Sequence, residues 1–324
     1  MSSPKVMMTL QTILVVVKKK TIKTLIVIVG PTAIGKTSLA IRLAQLYQTE
    51  IISADSRQFF KELNIGTAKP SKDELSAAKH HFIDSHSIDT LFSTGDFEVE
   101  ALALLDQLYT EHDILILVGG SGLYIDSVCK GLDQLPEIDL NIRAQLNQRF
   151  ADEGITTIQE QLQTVDPEYY AKVDQSNPQR MIRGLEVFLS TGQKLSSFLT
   201  GNKKERRFNI LKIGLDTNRG LLYERINSRV DAMMATGLLD EVKDLMNFRH
   251  YNALNTVGYS ELFNYLDEKT DLASAIAMIK QNTRRFAKRQ LTWFRRDEST
   301  AWFEPNHVNK IVDYIENHIK TNKR

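Results

Sequence analysis

Residues 24–38 read TLIVIVGPTAIGKTS. An apolar run ends in a glycine, and residues 30–37 fit G-x-x-x-x-G-K-[ST] at every fixed position. This is the phosphate-binding loop pattern. Its glycines let backbone N–H groups face phosphate oxygens, and the start of the following helix favours negative charge. Gly30, Pro31, Thr32, Ala33, Ile34 and Gly35 form the cradle, Lys36 adds a point charge, and Thr37 supplies a hydroxyl of the kind that ligates Mg²⁺. The pattern says that a phosphate chain is held. It leaves open whose phosphate.

Working outward, TLIVIV at 24–29 is β-rich and apolar throughout, as a strand buried on both faces should be. Leu39, Ala40, Leu43, Ala44 and Leu46 then recur at helical spacing over 36–47. EIISADS at 50–56 predicts a second strand ending in a carboxylate, DILILVGGSG at 113–122 another opening into a glycine turn, and RFNILKIGLD at 207–216 a return to the sheet. Residues 93–109 have helical character. Such alternation predicts an α/β fold with a parallel, P-loop NTPase-like sheet. Ligands on such sheets sit beyond the carboxyl ends of the strands, so residues 30–37, 55–58 and 119–122 should meet in one crevice.

Between about 135 and 198 strand-like runs disappear, and short helices are predicted over 141–153, 156–164, 167–173 and 178–190. Asn177 reads as an N-cap with Pro178 in the first turn. This predicts a helical insertion over 135–204 inside a core formed by 21–134 and 205–324. Long helices are predicted over 219–248, 256–267 and 271–296.

Composition narrows the class. The 324 residues are 42% hydrophobic and 25% charged with a net charge of +1, an ordinary globular balance with no strong overall field. Attraction to nucleic acid must therefore come from local patches. The single cysteine, Cys129, excludes an intrachain disulfide and a Cys-based zinc finger. Residues 1–20 contain an apolar stretch, 13–17, too short to span a bilayer and lacking a signal-cleavage pattern. They read as an extension outside the fold, or as translation assigned from an upstream start. No membrane association is expected.

Asp55 is the acid best placed for chemistry, at the tip of the strand after the P-loop helix. It could serve Mg²⁺ or accept a proton, while the plain structural role for an Asp-Ser pair is to cap a turn. NPQRMIRGLEVF sets Arg180 and Arg183 one helical turn apart with Gln179 nearby. KQNTRRFAKRQLTWFRRD at 280–297 holds seven Lys and Arg with Phe286, Trp293 and Phe294 interleaved. Cations and aromatics together grip RNA, although a solvated helix face with inward aromatics has the same pattern.

GPTAIGKTSLA, ISADSRQ, LNIGTAKPS, LVGGSGLY, DPEYYAKVDQSNPQRMIRGLEVF, VGYSE and RRFAKRQLTWFR follow in the order seen in tRNA dimethylallyltransferases. The chain resembles that family over about residues 22–304. The resemblance implies transfer of a dimethylallyl group from its diphosphate to N6 of adenosine 37 in tRNA, with Mg²⁺ as cofactor. The loop is then expected to hold an isoprenoid pyrophosphate; ATP is not implied. The resemblance further implies that Lys36, Thr37 and Arg229 meet the pyrophosphate, with Arg225 as the fallback, and that Asp55 accepts the N6 proton. It matches Asp55, Ser56, Arg57, Gln58, Ser121, Arg143, Gln179, Arg180, Met181, Ile182 and Arg183 to tRNA-contacting positions. Asn255 and Ser260 stand where many relatives carry basic residues, and Ser121 where many carry threonine. With one cysteine the chain resembles the bacterial type, which implies a cytoplasmic enzyme, expected to be monomeric, acting on the tRNA anticodon arm. Rival readings are a prenyltransferase acting on free AMP, ADP or ATP, an ATP-dependent small-molecule kinase, and a non-catalytic RNA-binding module.

Overall fold

A computed structural model describes residues 23–321. The extension expected over residues 1–20 lies outside the described residues. Six parallel strands form one sheet in the order β3-β2-β4-β1-β5-β6: β1 Thr24–Val29, β2 Ile51–Ser53, β3 His80–His81, β4 Ile114–Gly119, β5 Asn209–Leu215 and β6 Ala301–Phe303. The expected mixed α/β class with a parallel sheet is what the chain adopts.

β1 lies between β4 and β5, with Thr24 opposite Ile114 and Asn209, and Val29 opposite Gly119 and Gly214. No residue of β1 is more than 4% exposed, which explains a continuous apolar run in place of an alternating one. Leu39, Ala40, Leu43 and Ala44 of the helix Lys36–Tyr47 pack with Ile26 and Ile28, alongside Ile311 and Ile315 of the helix Val308–Thr321. Each leucine or isoleucine side chain here contributes roughly 1.5–3 kcal/mol on burial, so this face anchors the residues next to the P-loop.

The described chain divides into two compact units. One comprises residues up to Asp89, Leu104–Gly120 and the chain from Arg207; it contains the whole sheet. The other comprises Thr90–Ala103 and Ser121–Arg206. In this second unit Leu146, Ile158, Leu162, Met181, Ile182 and Leu185 form a separate core among the helices Leu140–Glu153, Ile155–Val165 and Pro178–Thr191. Asn177 caps the last of these, accepting from the Arg180 N–H, with Pro178 in the first turn.

Three expectations change. The strand over 50–56 contracts to Ile51–Ser53, so Asp55 stands in the following turn. The helix over 219–248 breaks at Gly237, whose φ is 103°, into Arg219–Ala235 and Leu238–Asp244. The elements β3, β6 and Val308–Thr321 had no counterpart in the sequence reading.

Candidate active site

The sheet register builds the site. Val29 pairs with Gly119, and Ser53 pairs with Val118, so the loops after β1, β2 and β4 leave the same edge. They line a cavity of about 360 Å³ that holds residues 32–37, Asp55 and Gln58 together with Arg229 and Gln290. Lys69 and Glu74 complete its charged groups. Gly30 and Pro31 lie behind this wall and are buried.

Within the loop, Ala33 has φ 64° and Gly35 has φ 103°. Left-handed residues in such a turn direct successive N–H groups toward one point, a nest suited to an anion. Gly35 is the N-cap of the helix Lys36–Tyr47 and brings no capping side chain, which leaves the helix start open to an anion. Lys36 Nζ donates to the Pro31 carbonyl at 2.8 Å. Burial pushes its pKa down to about 8; Asp55 opposes that shift and Arg229 adds to it. A cation held this way is short of negative charge.

Arg229 enters from the helix Arg219–Ala235 and donates from Nη1 to Thr32 Oγ1 at 3.4 Å. Its guanidinium pKa is lowered by burial, with Glu74 acting against the shift. Arg225, one turn earlier, reaches the Ile34 carbonyl at 3.5 Å and is not in the cavity wall.

Asp55 Oδ1 accepts from the N–H groups of Arg57, at 2.9 Å, and Gln58, at 3.3 Å. The capping role of an Asp-Ser pair is therefore real here, and it occupies one carboxylate oxygen while the residue still lines the cavity. Gln58 spreads its carboxamide across the neighbouring loop: Nε2 donates to the carbonyls of Thr67 and Ala68, each at 3.1 Å, and Oε1 accepts from Ser53.

Sequence reasoning missed Gln290. It sits in the helix Leu272–Phe294, 6% exposed, among the cations assigned to RNA. Its Oε1 accepts from the Thr32 N–H at 2.8 Å and its Nε2 donates to the Gly120 carbonyl at 2.9 Å. It thus ties the P-loop to the end of β4. A Cβ at Gly120 would lie 2.2 Å from Nε2, so the second glycine of LVGGSG makes room for this carboxamide. The available signal was a polar residue in the apolar stripe Ala287, Gln290, Phe294. Phe294 packs inward, whereas Phe286 is 38% exposed and lines the cavity. Other members of the basic run are held by neighbours, Lys280 by Asp231 and Arg284 by Asn227.

In the helical unit, Arg143 and Arg183 both pair with Glu186, a fully buried carboxylate that the sequence reading had not singled out. Arg143 also reaches Gln179 at 3.3 Å, so three residues assigned to tRNA form one cluster. Arg180 and Gln179 are exposed. Met181 and Ile182 are 0% exposed in the core of that unit; the helix turns their side chains inward at the same period that turns Arg180 outward. Ser121 is the N-cap residue of the helix Gly122–Lys130, and Ser260 donates its hydroxyl to the Thr256 carbonyl.

Known proteins resemble this arrangement over nearly the whole chain. The family model described as IPP transferase matches residues 58–297. A tRNA dimethylallyltransferase of Christiangramia forsetii is 54% identical over 298 residues, covering 92% of this chain and 99% of the relative. One from Flavobacterium johnsoniae is 52% identical over 306 residues, with 92% and 99% covered. Among solved structures, the full-length tRNA isopentenylpyrophosphate transferase of Bacillus halodurans superposes with a TM-score of 0.69 at 34% identity, covering 92% of this chain and 97% of that one. A eukaryotic dimethylallyltransferase, described as acting on tRNA, superposes with a TM-score of 0.72 at 25% identity, with 91% and 80% covered.

Proposed function

This chain belongs to the tRNA dimethylallyltransferase (IPP transferase) family, and we propose that it transfers a dimethylallyl group from dimethylallyl diphosphate to N6 of adenosine 37 in tRNA. The observation that carries this reading is the meeting of Lys36, Arg229 and Asp55 on one cavity beside a P-loop nest. Two cations and a set of backbone donors suit a leaving diphosphate. One carboxylate suits the amine that replaces it.

In the proposed reaction the C1–O bond of the donor breaks and its electron pair leaves with diphosphate. Positive charge spreads over the allyl group. The loop N–H groups, Lys36 and Arg229 stabilise the negative charge that develops on the leaving oxygen. The N6 lone pair forms the new C–N bond, and Asp55 takes the N6 proton. The exocyclic amine of adenine is a poor nucleophile, because its lone pair is delocalised into the ring. A carboxylate that hydrogen-bonds to it helps by orientation and by proton removal. Asp55 is fixed for this task by its own turn, whose two N–H bonds hold Oδ1.

Mg²⁺ fits the donor set: Thr37 offers a hydroxyl oxygen as ligand, and magnesium takes most of its coordination from water and substrate phosphates. When bound it would neutralise charge on the diphosphate. Among the described residues no group of three or more His, Cys, Asp or Glu could hold a metal.

The acceptor base must leave its stack to reach a buried donor, so a flipped adenosine is implied. Arg143, Gln179, Arg180 and Arg183 of the helical unit are proposed contacts to the anticodon arm, with Ser56, Arg57, Gln58 and Ser121. Among the described residues no helix is long and apolar enough to cross a membrane. A cytoplasmic monomer is the proposed working form.

Incubation with labelled dimethylallyl diphosphate and either unmodified tRNA or AMP tests the proposal. Label is expected in N6-substituted adenosine after digestion of the tRNA. Label in AMP alone would move the chain to free-nucleotide prenyl transfer, and no label in either would remove the donor assignment.

A further inference from the structure

We propose that Glu241, assisted by Tyr259, is a positioning residue for the transfer step: it sets the loop 64–70 from outside the cavity and, through that loop, the turn that carries Asp55. The inference rests on the prenyl-transfer reading above.

Glu241 belongs to the short helix Leu238–Asp244 and does not line the cavity. Its carboxylate receives three consecutive backbone N–H groups. Oε2 accepts from Asn64 at 3.2 Å and Ile65 at 2.7 Å, and Oε1 accepts from Gly66 at 3.1 Å. These amides open the 3₁₀ turn Ile65–Thr67. Three successive amides facing one way form an anion nest, and here the protein fills it with its own carboxylate. Tyr259, 0% exposed, donates its hydroxyl to the same Oε1 at 2.6 Å. Burial, and then the adjacent Glu241 charge, push the phenol pKa far up, so Tyr259 remains a donor throughout the working range. The ring also presses on the turn. A Cβ at Gly66 would lie 2.5 Å from the Tyr259 ring, so glycine is required where the backbone meets it.

The turn is joined directly to the chemistry. Its last residue, Thr67, and the next, Ala68, offer the two carbonyls that hold Gln58 Nε2. Gln58 in turn gives its N–H to Asp55 Oδ1. Thr67, Ala68, Lys69 and Pro70 all line the cavity. Lys69 is anchored on the Phe60 carbonyl at 2.6 Å and paired with Asp84, so the far end of the loop is held as well. Three hydrogen bonds in series, joined by short stretches of chain, therefore link Glu241 to the proposed base. The P-loop, Lys36 and Arg229 make no contact in this chain of bonds, and this separates positioning of the acceptor side from binding of the donor.

The test compares E241Q and Y259F with the unaltered enzyme in single-turnover transfer to tRNA, alongside calorimetry of donor binding. In E241Q the carboxamide nitrogen cannot accept, so at least one loop N–H loses its partner. Misplacing a catalytic group by about an ångström costs up to ~10²-fold, so the transfer rate should fall by ~10- to 100-fold with donor Kd within about threefold of normal. Y259F keeps the ring and removes one donor, and a smaller fall of ~3- to 10-fold is expected with donor Kd again unchanged. A transfer rate within twofold of normal in both variants would overturn the proposal, as would parallel losses of rate and donor affinity. If E241Q does not fold, Y259F decides by the same criteria. An unaltered enzyme that fails to transfer at all would instead count against the prenyl-transfer reading.

Discussion

Lys36 should make donor binding depend on pH in a range where a surface lysine would not. Burial lowers its pKa from 10.5 to about 8 in the empty protein, with Arg229 adding to the shift. A diphosphate beside it supplies the missing negative charge and favours the protonated form. At pH 7 roughly nine in ten molecules carry the charge, and at pH 9 roughly one in ten, because each pH unit past the pKa is a factor of ten. Donor affinity should therefore hold nearly level up to about pH 7.5 and fall by ~10-fold at pH 9. Stability of the empty protein should respond in the opposite sense. The unfolded chain keeps the lysine proton up to about 10.5 and the folded chain loses it near 8, so between those values the unfolded state binds more protons. This group then adds stability as pH rises. Calorimetric titration of dimethylallyl diphosphate at fixed Mg²⁺ and ionic strength reads the first effect, and thermal unfolding reads the second. Lys36→Arg serves as the control, since its guanidinium stays charged and its weaker binding should be level across the range. A wild-type affinity that does not change between pH 7 and 9 would refute the account of Lys36 as a buried cation awaiting the diphosphate.

Asp55→Asn should leave Mg²⁺-dependent donor binding within a few-fold of normal and lower transfer to tRNA by ~10²–10⁴, the range for losing an acid–base group; loss of donor binding, read by calorimetry, would make Asp55 a metal-site residue. Arg180→Ala should weaken tRNA binding and reduce its log–log salt slope by about 0.7–0.9 if one phosphate contact is lost. The single substitution is cleaner than a double one with Arg183, because Arg183 also holds the buried Glu186. Unchanged tRNA affinity and slope would place Arg180 on an ordinary solvated face.

Much of the site was legible because it is local. The P-loop, its strand and its helix are contiguous, so pattern and context coincide over 24–47. The helix Pro178–Thr191 announced itself through Asn177 and Pro178. What stayed hidden depends on partners distant in sequence. Gln290 bonds Thr32 and Gly120, separated from it by 258 and 170 positions, and nothing near it records either partner. Glu241 reads as a surface acid on a short helix until the turn at 64–66 is brought to it. Met181 and Ile182 lie in a motif whose Gln179 and Arg180 face outward, and the helical period turns their own side chains into the core. The strands β3 and β6, of two and three residues, are too short for any periodicity to show.

The strand ends explain how a P-loop can serve a reaction other than phosphoryl transfer. In P-loop phosphotransferases an acid at the end of a neighbouring strand manages Mg²⁺. Here the neighbour of β1 on that side is β4, which ends at Gly119 and is followed by Gly120. No carboxylate could simply be added there. A Cβ at Gly119 would lie 2.2 Å from the Ala54 carbonyl oxygen, and one at Gly120 would meet Gln290. The position is closed by the approach of the next loop and by the carboxamide that ties it to Thr32. The acid appears one strand further out, after β2, where Asp55 is held by its own turn and by Gln58. Moving the carboxylate outward leaves the phosphate nest to cations and backbone donors, which suits a group that departs as diphosphate. It also sets the carboxylate on a separate turn, which suits its proposed role of taking the proton from an incoming amine. On the proposed reading, the donor half and the acceptor half of the cavity follow different strands, and the substitutions at Lys36 and Asp55 should separate them in the same way.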